Sequence, residues 1–346
     1  MPTQNLPREL IRRRYSDVLD DLYPGPDDNE ISRGLPAGRV TDDTDQAVIL
    51  GRLFVEGGGR VEPSAFADAL LAWEERMRAD GSLDLLGPST RRALALVAEG
   101  VSPDETGRWG DTNGAAMRIA PIGVGVPSEP LDRLVDAVED ACRVTHHTGV
   151  AIAGAAAIAA AVSSGLDGRS LDESLRLAVA AARLGAERGS YAPGADVATR
   201  IEWALELVAG RAVAEALDLV YRLVGTGLAT QEAVPAALAL AALFPDDVWE
   251  ACRHAASLGG DCDTIAAMTG AVVGAHTGAR DREGGRADGA RARDGAREGG
   301  RAGSGGIPGP ILDRLTAANP TLHLSALAEQ LLSLRRDRSR AAWRPR

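Results

Sequence analysis

The apolar residues of this chain include very few aromatic ones, and this limits the folds that it can adopt. Hydrophobic residues make up 45% of the 346 positions, but aromatic residues make up only 3%. Alanine, leucine and valine must therefore fill the core, and alanine-rich sequence favours closely packed helices. Because alternating strand patterns are missing from the sequence, we expect a single all-α domain of ten or more helices.

Apolar periodicity indicates where these helices lie. Apolar positions spaced i, i+3, i+4 and i+7 run from Leu131 to Cys142, and Phe66, Leu70 and Trp73 follow the same spacing. The most apolar run, Val150 to Val162, predicts a buried helix because a bilayer needs about 20 apolar residues. Further candidate helices are 171–184, 201–208, 213–223, 234–243 and 312–334.

Charge and cysteine content argue against several classes of function. The formal net charge is −11, so we expect no non-specific binding to nucleic acid. Cys142, Cys252 and Cys262 are few and widely spaced, which indicates neither a disulfide framework nor a zinc site. The sequence shows no signal-peptide pattern, so we expect a reduced, cytoplasmic protein without a membrane partner.

Two segments have compositions unlike that of the helical core. Residues 279–306 are almost entirely Gly, Ala, Arg, Asp and Glu, so we expect a disordered insertion there. We place the domain at 1–334, and the basic residues 335–346 then form a tail. We expect this tail to be solvated and frayed, with contact to an anionic partner as the alternative.

Two acidic clusters are the first candidates for chemistry. Thr41–Thr44 lies near the start, and Asp261–Thr264 lies far along the chain. Carboxylates and hydroxyls are ligands of hard divalent cations. Acidic residues also suit a helix N-terminus, which taken alone explains the first cluster better than it explains the second. In an extended turn, Asp261 and Asp263 would point the same way and Cys262 would point into the protein. If the clusters meet, like-charge repulsion favours bound cations.

A small-residue loop and a histidine pair lie between the clusters. The loop Gly110–Gly114 would suit a phosphate or a sugar, and an ordinary turn before a helix explains it equally well. The segment Thr145–Thr148 contains two adjacent histidines, of which one must usually point away from any site. A capping or core histidine is as consistent with this pattern as one that binds a ligand.

Taken in chain order, these motifs resemble the ADP-ribosylglycohydrolase family. The matching segments are Thr41–Thr44, Asn113–Arg118, Thr145-His146 and Gly260–Thr264. The resemblance implies an all-α orthogonal bundle with two Mg²⁺ or Mn²⁺ ions in a central cleft. It also implies a hydrolase that cleaves the glycosidic bond between ADP-ribose and an acceptor such as a protein arginine.

The resemblance further implies roles for individual residues. The family's metal ligands fall on Thr41, Asp42, Asp43, Asp261, Asp263 and Thr264. Its substrate-binding residues fall on Asp111, Thr112, Asn113, Gly114 and His146, and the base toward water would be Asp43 or Asp261. A family helix containing Gly-Asp-Ala-Leu-Gly would precede Met1, and Gln4 then stands near the position of the family's glutamate.

Two other functions fit the same motifs. The chain could hydrolyse a small nucleoside or another N-ribosyl metabolite with the same metal ions. It could also be a non-catalytic protein, either crystallin-like or limited to binding ADP-ribose. The retention of all six metal-ligand positions argues against the non-catalytic alternative, because a purely structural protein has no need of them.

Overall fold

Helices make up the regular structure of this protein. The computed structural model describes the backbone of residues 1–288 and 306–342, and the side chains of residues 1–278 and 306–338. Within these ranges there are sixteen α-helices and no strand, which confirms the predicted all-α fold. A short 3₁₀ helix at Thr106–Trp109 and a π-helical turn at Val220–Val224 complete the set.

The α-helices are, in chain order, α1 (Arg8–Tyr15), α2 (Asp42–Glu56), α3 (Pro63–Ala79), α4 (Pro88–Ala98), α5 (Gly114–Met117), α6 (Ala120–Gly125), α7 (Leu131–Cys142), α8 (Gly149–Leu166), α9 (Leu171–Ala186), α10 (Val197–Val208), α11 (Val213–Leu219), α12 (Thr230–Leu243), α13 (Val248–Ala256), α14 (Cys262–Asp288), α15 (Gly309–Ala318) and α16 (Leu324–Ala342).

The predicted helices form where apolar periodicity and capping residues agree. α7 begins and ends at the two residues that limit its apolar pattern, and Leu134, Val135 and Val138 of its stripe are fully buried. α9 begins after Ser170, whose hydroxyl and the carboxylate of Glu173 form a reciprocal capping box. Local sequence thus determines several helix boundaries without help from the rest of the fold.

α8 is the central helix of the bundle. It is buried continuously from Ala151 to Gly165, and it packs against α5, α6, α7, α9, α12 and α14. It extends beyond the apolar run that predicted it, and it is long and apolar enough to cross a membrane. However, 83% of it is buried inside the protein, as expected for a core helix that is hydrophobic on all sides.

Small residues allow these helices to approach one another closely. A Cβ atom added at Gly185 of α9 would lie 2.9 Å from the Cα atom of Ala153 in α8. On α14, a Cβ atom at Gly270 would lie 2.8 Å from the sulfur of Cys252 in α13. At Gly278, eight residues further along the same helix, an added Cβ would meet no described atom within 4 Å.

The two segments outside the predicted core differ from expectation. α14 continues to Asp288, inside the predicted insertion. The remaining positions, 289–305, lie outside the described residues, so their disorder stays a prediction. The prediction of a separate basic tail is wrong for its first part, because α16 continues to Ala342 and Arg335 is buried. Arg335 pairs with Asp167 and donates to the carbonyls of Gly123 and Ser163, which end neighbouring helices.

Replacing Gly185 by alanine should destabilise the protein by about 1–3 kcal/mol, because the added methyl group meets the backbone of α8. Thermal unfolding followed by circular dichroism measures the change. Gly278→Ala is the matched control, since its methyl group meets no atom of the described residues and should leave the midpoint unchanged or slightly raised. Equal midpoints for the two variants would contradict close packing between α8 and α9.

Candidate functional site

The two acidic clusters meet at the N-termini of α2 and α14. Thr41 precedes α2, and Asp42 and Asp43 lie in its first turn, while Asp263 lies in the first turn of α14. The two helices pack together, and the charge of Asp263 acts on Asp42. Positive helix N-termini stabilise carboxylates, so both clusters gain from their position.

Helix capping alone does not explain the first cluster. Thr41 occupies the N-cap position of α2, but its side chain accepts no capping hydrogen bond. Its hydroxyl instead donates to a carboxylate oxygen of Asp43 at 2.8 Å. The backbone N–H of Asp42 is capped by a residue from elsewhere, Asp84, at 3.0 Å. The polar side chains of this cluster are therefore directed at each other rather than at the helix end.

The second cluster differs from its predicted conformation. Cys262 is fully buried as predicted, but the residues from Cys262 onward are helical, so the prediction of an extended turn is wrong. The turn lies one step earlier, where Gly259 and Gly260 adopt φ values of 88° and 69°. An added Cβ at Gly260 would lie 2.4 Å from the carbonyl oxygen of Thr226, which excludes larger residues.

Asp84 is a fifth carboxylate of the site that the sequence analysis missed. It is buried in the connection between α3 and α4, and its second oxygen lies 3.5 Å from the amide nitrogen of Gln4. The one signal in the sequence is a carboxylate surrounded by leucines, at Leu83, Leu85 and Leu86. Tertiary packing, and not its local sequence, brings Asp84 to α2.

Burial and mutual repulsion disfavour the ionised form of these carboxylates. Burial raises the pKa of Asp84 to about 6 and that of Asp261 to about 7, and the charge of Asp43 adds to both shifts. Burial also raises the pKa of Asp42, Asp43 and Asp263 above their usual range. Five carboxylates that share one buried region favour either bound protons or bound cations.

The donor groups of the cluster fit hard divalent cations. Within the described part of the chain, Asp43 Oδ1, both carboxylate oxygens of Asp263 and Gln4 Oε1 are buried without a hydrogen-bond partner. Unpartnered buried oxygens are costly, and Mg²⁺ and Mn²⁺ prefer such oxygen ligands. Across the described ranges, no three His, Cys, Asp or Glu side chains are already arranged around one ion position. Cation binding would therefore draw these side chains together.

The predicted substrate loop lies directly against the acidic cluster. The side-chain amide of Asn113 donates to the carboxylate of Asp261, and its backbone N–H donates to the carbonyl of Leu228 at 3.0 Å. The carbonyl of Asp111 accepts a hydrogen bond from the hydroxyl of Thr230 at 2.8 Å, and the Asp111 side chain is exposed. The structure thus brings together the loop and the carboxylates that the sequence analysis grouped.

His146 does not reach the protein surface. Its side chain is 0% exposed and lies behind the loop, with Nε2 3.1 Å from the Thr112 hydroxyl. A Cβ atom at Gly114 would lie 2.8 Å from the His146 ring. The predicted direct contact with substrate is therefore not available to His146, which supports the loop from beneath. His147 points elsewhere, toward Glu139 at 3.0 Å, as expected for adjacent histidines.

Gln46 and Arg118 lie behind the carboxylates, and the sequence analysis gave them no role. Both are fully buried. The Gln46 amide donates to Asp42 at 2.8 Å and accepts from the Arg118 guanidinium at 2.7 Å. Burial lowers the pKa of Arg118 to about 10, so the side chain remains a cation at neutral pH.

Comparison with known proteins identifies the family. Residues 1–281, which contain both acidic clusters and the Asn113 loop, match the family described as ADP-ribosylglycohydrolase. The chain belongs to this family. The family resemblance seen in the four motifs is therefore confirmed.

Relatives of this ADP-ribosylglycohydrolase family member occur in bacteria and archaea. The chain is 34% identical over 276 residues to the uncharacterized protein YegU of Escherichia coli (strain K12), covering 80% of this chain and 82% of YegU. It is 34% identical over 283 residues to an uncharacterized protein of Archaeoglobus fulgidus, with the same shares covered. A solved structure, an ADP-ribosylglycohydrolase-related protein complex, has the same fold with a TM-score of 0.57 at 24% identity, covering 91% of this chain and 90% of that one.

Without metal, the folded protein should become less stable as the pH rises from about 4 to about 7. The folded-state pKa values of Asp84 and Asp261, about 6 and about 7, exceed the usual 3.8, so the folded form binds more protons in this window. Mn²⁺ requires ionised ligands, so it should raise the unfolding midpoint more at about pH 7.5 than at about pH 5.

Thermal unfolding in EDTA and in excess Mn²⁺ at the two pH values measures both effects. Asp84→Asn removes one buried carboxylate and should flatten the metal-free pH dependence. A metal-free midpoint that rises between about pH 5 and about pH 7.5 would contradict the raised pKa values of these buried carboxylates.

Proposed function

We propose that this protein is a metal-dependent hydrolase that cleaves the glycosidic bond between ADP-ribose and an acceptor such as a protein arginine. The observation that carries the proposal is the contact between the buried carboxylates and the Asn113 loop, made through Asp261. Membership of the ADP-ribosylglycohydrolase family supports the reaction class.

Six residues of the cluster carry the carboxylate and hydroxyl oxygens that would bind the metal ions: Thr41, Asp42, Asp43, Asp261, Asp263 and Thr264. Two Mg²⁺ or Mn²⁺ ions bound there would supply Lewis acidity toward a ribose hydroxyl and a position for water. The unpartnered oxygens of Asp43 and Asp263 support this assignment, because each would gain a ligand that the described protein does not provide. Asp84 and Gln4 would complete the polar surroundings.

Asp261 is the stronger candidate for the base that takes a proton from water. Its side chain is partly exposed, whereas Asp43 is 1% exposed and already accepts a hydrogen bond from Thr41. The amide of Asn113 holds the Asp261 carboxylate against the loop. Of the two residues that the family resemblance suggested, Asp261 is therefore the one that is both partly exposed and in contact with the proposed substrate loop.

The loop Asp111–Gly114 would bind the ADP-ribose moiety beside this base. The hydroxyl of Thr148 donates to the carbonyl of Gly110 at 2.6 Å, and Thr148 forms a β-bridge with Ser190. Next to Ser190, the ring of Tyr191 is 88% exposed. An exposed aromatic ring on a segment tied to the loop suits stacking with a nucleobase.

Asp261→Asn should lower Mn²⁺-dependent release of ADP-ribose from ADP-ribosylated arginine by about 100-fold or more, because the amide cannot accept a proton. Chromatography of the released ADP-ribose measures the rate. Asp172→Asn, an exposed change in α9, is the matched control and should keep full activity. Unchanged activity of a folded Asp261→Asn variant would contradict the proposal.

Free nucleosides assayed in parallel test the acceptor. Faster turnover of a nucleoside than of ADP-ribosylated arginine would favour the alternative in which the same site acts on a small N-ribosyl metabolite. Metal binding without turnover of either substrate would favour the non-catalytic alternative.

A further inference from the structure

A continuous chain of buried polar side chains connects the acidic cluster to the substrate loop. Its first half runs from Asp42 through Gln46 to Arg118, with contacts of 2.8 and 2.7 Å. Its centre is the guanidinium of Arg118, which is fully buried and lies 4.9 Å from the centre of the Phe66 ring. Two helices that are distant in sequence, α2 and α5, are joined in this way.

The second half of the chain runs from Arg118 to the loop. Arg118 donates to the hydroxyl of Thr145, and Thr145 Oγ1 lies 2.8 Å from Nδ1 of His146. Nε2 of His146 lies 3.1 Å from the hydroxyl of Thr112, which donates to Ser89 at 2.9 Å. Thr145 and His146 are both fully buried, so water does not compete for these contacts.

The Arg118 side chain determines the direction of the hydrogen bonds toward Asp42, because a guanidinium has donors and no acceptor. Gln46 must present its carbonyl oxygen to Arg118, and its amide nitrogen therefore faces the carboxylate of Asp42. The Arg118 guanidinium thus fixes the orientation of the Gln46 amide, and this amide in turn holds one carboxylate oxygen of Asp42.

The Thr112 hydroxyl determines the direction on the loop side. Thr112 donates its proton to Ser89, so it accepts from Nε2–H of His146. A neutral ring with its proton on Nε2 accepts at Nδ1, where the Thr145 hydroxyl donates. Burial holds the pKa of His146 well below its usual value, which agrees with a neutral ring at pH 7.

A packing role alone does not account for Arg118. Burying a guanidinium is costly, and an apolar side chain of similar size would fill the same space without that cost. The acidic side chain that can carry a charge facing Arg118 is Asp42, whose ionised form a bound cation would favour, because burial raises the pKa of the neighbouring Cys142 thiol to about 12 and keeps it neutral. Packing requires neither the positive charge of Arg118 nor the hydrogen bonds that it donates to Gln46 and Thr145.

We propose that Arg118 is a positioning residue that holds Asp42 and the Thr112–Asn113 loop in one fixed relative arrangement. It acts on Asp42 through Gln46, and on the loop through Thr145 and His146. A change on the loop side of Arg118 therefore alters metal binding on the other side. The inference rests on the proposed function, because it takes Asp42 as a metal ligand.

Titration calorimetry with Mn²⁺ on four proteins tests this inference: the wild type, Thr145→Val, Thr145→Ser and Thr106→Val. Thr145→Val removes the acceptor for Arg118 with little change of shape, and it should weaken Mn²⁺ binding by about five-fold. Thr145→Ser keeps the hydroxyl and should bind like the wild type. Thr106→Val is the matched control, since that buried hydroxyl donates to the Val144 carbonyl at 2.7 Å and takes no part in the chain.

Equal Mn²⁺ affinities for Thr145→Val and Thr106→Val would overturn the inference and leave the proposed function intact. Failure of the wild type to bind Mn²⁺ would overturn the metal part of the proposed function and the positioning role together. The two failures are therefore distinguishable in one set of titrations.

The histidine tautomer is a second readout that requires no metal. Nitrogen-15 NMR of the wild type at neutral pH should show His146 protonated on Nε2 alone. The chain contains five histidines, and the signal that is lost in His146→Gln assigns the resonance. A proton on Nδ1 would overturn the proposed direction of the chain and with it the role of Arg118.

Discussion

The burial of five neighbouring carboxylates is the constraint on which the rest of the site depends. Five aspartates share a region that raises the pKa of each of them. The protein offsets this cost locally with two helix N-termini, the hydrogen bonds of Thr41 and Asn113, and the buried charge of Arg118. These contacts still leave carboxylate oxygens of Asp43 and Asp263 unpartnered among the described residues, which is where cations would bind.

The helical core provides the rigid base that such a site requires. α8 packs against both α5, which follows the substrate loop, and α14, which carries the second acidic cluster. Close approach at glycines such as Gly185 leaves these helices little room to shift. The small-residue composition that predicts the fold therefore also explains why polar groups from distant parts of the chain hold fixed positions.

Sequence reasoning succeeded where a local pattern decides the structure and failed where packing decides it. The periodicity of α7 and the grouping of both acidic clusters with the Asn113 loop are visible along the chain. Asp84 is not, because only the fold brings it to the N-terminus of α2. Arg335 was wrongly placed in a solvated tail because the helix-end carbonyls that it binds come from elsewhere in the bundle.

We propose that the acidic cluster binds two divalent cations. The metal content of the purified protein after equilibrium dialysis against Mn²⁺ at neutral pH, determined by mass spectrometry of the metal, tests this. We expect two ions per chain in the wild type, and fewer in a folded Asp263→Asn variant. A folded wild-type protein that retains no Mn²⁺ would show that the cluster is not a cation site.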